Sequence, residues 1–78
     1  MIGGYKLMEE DAFRLLKNFT YHAPSGTQPE RYEEIRARSK DLAEMILLDC
    51  PPSRERDRAL ESLDDVVMQA NASIARNE

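Results

Sequence analysis

The sequence predicts an all-α protein: a short N-terminal helix, then a long antiparallel helical hairpin, assembled as a compact homo-oligomer. Three observations carry this expectation. Apolar residues recur at steps of three and four along the charged segments, which is helical spacing. Prolines and capping residues punctuate the chain where helices should begin and end. The composition, 41% hydrophobic and 33% charged with three glycines and no tryptophan, suits a helical globular chain rather than a sheet-rich or disordered one. Seventy-eight residues make one small domain, 1–78, whose own core is marginal, and oligomerisation is a common remedy.

The first helix is predicted over 8–18, in "LMEEDAFRLLKNF". Glu9, Glu10 and Asp11 crowd its start and Lys17 sits near its end, an arrangement that suits the helix dipole. Ala12, Phe13, Leu15, Leu16 and Phe19 give it an apolar surface. The stretch "FTYHAPSGTQP" that follows is rich in turn-forming residues and joins this helix to the next.

The second helix is predicted over 29–49. Thr27 with Glu30 three residues later has the form of a capping box, and Pro29 stands in the first turn, where proline is tolerated. Tyr32, Ile35, Ser39, Leu42, Met45 and Ile46 share one face, and the helix should stop before Pro51. The third helix, over 54–75, follows Pro51, Pro52 and an N-cap residue at Ser53. Its stripe is Ala59, Leu60, Leu63, Val66, Val67, Ala70 and Ile74. The link "CPPS" is so short that the two long helices should run antiparallel, and each stripe is broad enough to want a further partner.

A net charge of −4 argues against general binding to DNA or RNA backbones. The charge is uneven, with "SRERDR" locally basic, so a local anion site is compatible with an acidic chain. No apolar run is long enough to cross a membrane and no secretion signal is evident, which reads as a soluble intracellular protein. The single cysteine, Cys50, has no partner for an intramolecular disulfide, and its place at the end of "AEMILLDC" predicts a buried structural thiol.

Catalysis has little support. The only histidine, His22, and Cys50 flank a predicted helix roughly 30 Å long, beyond the reach of a nucleophile–base pair. Adjacent carboxylates such as Glu33 and Glu34 point in different directions on a helix and read as solvated surface. One histidine and one cysteine do not make a zinc cage; no metal or cofactor is expected, and His22 reads as a turn residue. Phosphate-loop signatures are missing. Two smaller features remain, each with a plain and a functional reading. Tyr5, after Gly3 and Gly4 and before Lys6, is either an arm residue packed on a neighbour or a flat ring for a base or sugar. Arg54 and Arg58, one turn apart at a helix start, are either an exposed charged turn answered by Glu55 and Asp57 or an anion contact.

Over residues 19–78, the pieces "YHAP", "QPERYEEIR", "CPPSRE" and "ANASIARNE" together resemble the helical-hairpin domain of bacteriophage proteins that sequester cyclic-nucleotide immune signals, the anti-CBASS and anti-Thoeris sponges. "GYKLMEED" is similar to the Gly-Tyr entry to the short helix in the anti-CBASS branch. The resemblance implies a non-enzymatic binder of cyclic di- and trinucleotides, a homo-oligomer (a hexamer) and action in the host bacterial cytoplasm. It implies that Tyr5 stacks on a base and Lys17 neutralises phosphate in a cyclic dinucleotide site shared between protomers. It assigns Lys6, Thr20 and Arg54 to a second site, for cyclic trinucleotides. The rival readings are capture of a cyclic ADP-ribose isomer, as in the anti-Thoeris branch, an enzyme that degrades the signal, and a structural or adaptor hairpin that binds another protein. The lack of metal ligands and of a nucleophile–base pair speaks against the enzyme.

Overall fold

The computed structural model describes residues 3–78 and contains three helices: α1 (Glu9–Phe19), α2 (Gln28–Asp49) and α3 (Arg54–Asn77). No strand occurs among the described residues. Each predicted helix is present, with ends displaced by at most two residues.

The starts and stops have visible causes. Asp11 Oδ2 accepts the Met8 N–H at 3.2 Å, closing the entry to α1. The Thr27–Glu30 capping box does not form. Thr27 has φ −88° and ψ 3° rather than extended angles, and its hydroxyl does not cap the helix. Instead Thr27 Oγ1 accepts from Arg31 Nε at 3.1 Å, while Gln28 Oε1 accepts the Ser25 N–H at 3.1 Å. At α3 the expectation holds: Ser53 has extended angles and its Oγ accepts the Arg56 N–H at 3.1 Å.

α2 packs along α3 as the predicted hairpin, and α1 lies against α3. Half-buried side chains mark the seam: Tyr32, Ile35, Ser39, Ala43 and Ile46 on α2, with Leu60, Leu63, Val67, Ala70 and Ile74 on α3. Leu42 and Met45, expected on the same face, stay exposed at 45% and 56%. The small Ala43 stands half-buried in the row instead. Cys50 is exposed at the end of α2, which corrects the expectation of a buried thiol; the chain leaves the helix there in extended geometry rather than continuing into the seam.

No side chain among the described residues is fully buried. The Cα radius of gyration is 17.6 Å, against about 11.5 Å for a compact chain of this length. The molecule is a plate of 51 × 36 × 14 Å with large apolar side chains of all three helices open to solvent.

Candidate functional site

The open end of the hairpin brings together two pieces far apart in the chain. Arg31, in the first turns of α2, grips Glu78 immediately after α3. Its Nη1 donates to Glu78 Oε2 at 2.6 Å, and its Nη2 donates to Oε1. Gln28 Nε2 donates to the same Oε1 at 3.3 Å. These hydrogen bonds from Arg31 and Gln28 hold the Glu78 carboxyl down at about 2, and the bridge in turn raises the Arg31 guanidinium.

Beside this clamp lie two clefts, with Asn18 and Arg76 on the wall of both. One, of about 520 Å³, is lined by the linker residues Tyr21 and His22 together with Phe19, Thr20, Tyr32 and Arg76. The other, of about 280 Å³, is lined by Lys17 at the end of α1 and by Gln69, Ser73, Arg76 and Asn77 of α3. Lys17 and Arg76 make no ion pair among the described residues; the pairs there are Arg31–Glu78 and Glu34–Arg38. Two unpaired cations, several amides and a group of aromatic rings can hold an anionic, flat-faced ligand.

The five predicted site residues do not meet within one chain. Lys17 and Thr20 sit together at this end, the first half-buried and the second at the C-cap of α1. Tyr5 and Lys6 lie on the arm before α1, at the other end of that helix, roughly 16 Å away along its axis. Gly4, at φ +76°, turns the chain just before Tyr5, whose ring is 84% exposed. Arg54 starts α3, roughly 33 Å along the helix from Arg76. A site built from Tyr5 with Lys17, or from Lys6, Thr20 and Arg54, would have to draw on more than one copy of the chain.

Arg76, Tyr21 and Tyr32 are not legible as site residues in the sequence. The signal for Arg76 lies in "ANASIARNE", which ends a helix with a basic residue. In "SRERDR" the middle arginine proves structural: Arg56 Nη1 donates to the carbonyls of Leu47 and Cys50 at 3.4 and 3.3 Å, closing the end of α2. Arg54 and Arg58 remain exposed, and among the described residues Glu55 and Asp57 form no salt bridge with them. His22 and Cys50 are held apart by the whole of α2, about 33 Å of helix, and no nucleophile–base pair forms between them in one chain.

Among the described residues no cluster of three or more histidine, cysteine or carboxylate side chains is placed to hold a metal ion. No helix among them is long and apolar enough to cross a membrane. No curated protein and no solved structure matches the chain. The family model described as "Acb2/Tad1, hairpin domain" matches residues 14–75, a span that begins inside α1 and covers nearly all of the hairpin. The chain therefore belongs to the Acb2/Tad1 hairpin-domain family, the anti-CBASS and anti-Thoeris sponges that sequester cyclic-nucleotide signals.

Proposed function

We propose that this chain is a phage immune antagonist of the anti-CBASS kind. It binds cyclic dinucleotides such as cyclic GMP–AMP, and cyclic trinucleotides at a second site, in the host bacterial cytoplasm and without cleaving them. Family membership over residues 14–75 is the observation that carries the reading. The geometry agrees with it: an exposed Tyr5, unpaired Lys17 and Arg76, and open clefts that a second copy could complete. In this reading Tyr5 of one protomer stacks on a base while Lys17 of another, with Arg76 beside it, meets phosphate. Lys6, Thr20 and Arg54 from different protomers of a hexamer hold the trinucleotide. Two phosphates need only a few cations, so the −4 chain is no obstacle. A sponge acts by mass action, so tight binding and abundance matter and turnover does not.

The test is calorimetric titration with cyclic GMP–AMP, followed by chromatography of the ligand released on heating. Tight binding with intact ligand recovered, at fewer than one ligand per chain, is the expected result. Cleaved ligand would make the protein an enzyme. Silence towards cyclic di- and trinucleotides with heat from a cyclic ADP-ribose isomer would move it to the anti-Thoeris branch. Silence towards all of them would favour the adaptor reading.

A further inference from the structure

We infer that Glu78 and Arg31 are positioning residues for the nucleotide site: their bridge holds the last turn of α3 so that Arg76 faces the cleft it shares with Lys17. This rests on the proposed sponge function and on the cleft being part of its site.

The last turn of a helix lacks intrahelical partners for its carbonyls and is the part that frays first. Arg76 belongs to that turn and is exposed, so its own packing does not fix it. Two contacts do the fixing. Asn77 Nδ2 donates to the Ser73 carbonyl at 2.8 Å, satisfying one terminal acceptor. Glu78, the next residue, is tied to α2 by the paired donors of Arg31 and by Gln28. A two-point guanidinium–carboxylate contact sets orientation as well as distance. Arg31 is anchored from behind as well, through Nε to Thr27 Oγ1 at 3.1 Å. Tyr32, beside Arg31 in the chain, lines the same cleft as Arg76. One clamp thus sets two walls of the site, and it leaves Arg76 rather than Arg31 available to an anion.

The experiment is a double-mutant cycle on the full chain, with cyclic GMP–AMP as probe and amide hydrogen exchange as a ligand-free readout. Glu78→Ala is expected to weaken binding roughly tenfold, and to have little further effect in an Arg76→Ala background. The charge exchange Arg31→Glu with Glu78→Arg should recover most of the loss. Amides 74–77 should exchange faster in Glu78→Ala, with the mass of the assembly unchanged by sedimentation. Affinity that is unchanged or raised, or an equal loss in both backgrounds, would overturn the positioning role. Unchanged exchange at 74–77 would overturn the clamp itself. A wild-type chain that takes up no cyclic nucleotide, yet shows the exchange difference, would sink the sponge reading and the ligand role together while leaving the clamp as a helix-end lock.

Discussion

Tyr5 and Lys17 lie at the two ends of α1, one on the arm that enters it and one in its last turn. Stacking of one base on an aromatic ring contributes about 1–3 kcal/mol, so Tyr5→Ala should weaken cyclic dinucleotide binding roughly tenfold or more. In this reading assembly should be unaffected, because the exposed ring is used on the base rather than on the contact between copies. Titration and sedimentation of the variant check both halves, and unchanged affinity would remove Tyr5 from the site. If the site takes Tyr5 from one copy and Lys17 from another, mixing Tyr5→Ala with Lys17→Glu chains should restore some intact sites. Glu78 makes a different kind of prediction. Its carboxyl titrates at about 2 when bridged, below its ordinary 4.5. A depressed carboxylate stabilises the folded state above the ordinary value, and that contribution disappears as pH falls through the folded one. The clamp should therefore be insensitive to pH near neutrality and be lost only between about 4.5 and about 2. Following the Glu78 side-chain carboxyl by NMR gives the answer directly; half-titration near 4.5 would mean the bridge is not formed in solution.

At the scale of elements, the caps carry the predictions. Ser53→Ala removes the acceptor for the Arg56 N–H and should cost about 1 kcal/mol in urea unfolding at fixed protein concentration. Arg56→Ala should cost about 1 kcal/mol as well, since two carbonyls at the end of α2 lose their donor. Arg54→Ala and Arg58→Ala, on exposed side chains, should stay within about 0.5 kcal/mol of the parent. Equal losses from all three arginines would show that the turn is held by net charge rather than by the Arg56 contacts. The same elements show what is legible in the sequence. Helix ends are, because Ser53, Pro51 and Pro29 act locally through backbone geometry. The hairpin is, because four linking residues leave little choice of direction. The seam is legible only in part: Leu42 and Ala43 are neighbours on α2, and a period of 3.6 does not say which of two adjoining apolar rows faces α3. The Thr27 capping pattern misleads because a competing pair, Gln28 with Ser25, starts the helix one residue earlier. Arg31 and Glu78, 47 positions apart, meet only through the fold, and the cleft wall at Arg76 is a product of the same meeting.

At the scale of the whole molecule, exposure is the observation that bears on partners. The single chain shows 6824 Å² to solvent, whereas a compact monomer of 9.0 kDa would show about 4,850 Å². The surplus, about 2,000 Å² per chain, exceeds the roughly 800 Å² that one partner covers in an ordinary interface, so a single twofold contact would leave much of it open. Apolar side chains of all three helices contribute to it, Val66 and Met68 of α3 among them, and two surfaces stand out. Phe13, Leu16 and Phe19 of α1 are 68%, 66% and 83% exposed, and Leu42, Met45 and Leu48 of α2 are 45%, 56% and 85% exposed. α1 makes no hydrogen bond or salt bridge to the hairpin among the described residues. Its half-buried side chains are the polar Asp11, Lys17 and Asn18 while its apolar ones stay open, so little within the single chain holds it. An element so held should gain much of its order from a neighbouring copy. The expected species in sedimentation is therefore larger than a dimer, at about 54 kDa if six copies of the 9.0 kDa chain assemble. Its unfolding midpoint should rise with protein concentration, because folding and assembly are linked. Met45→Glu and Phe13→Glu place a charge on each surface in turn and should each lower the mass and the midpoint. They should also weaken nucleotide binding, although neither residue is assigned to a site, because sites that draw Tyr5 and Lys17 from different copies disappear when the copies separate. A 9.0 kDa species with a concentration-independent midpoint would refute the assembly, and with it any site that one chain cannot build alone.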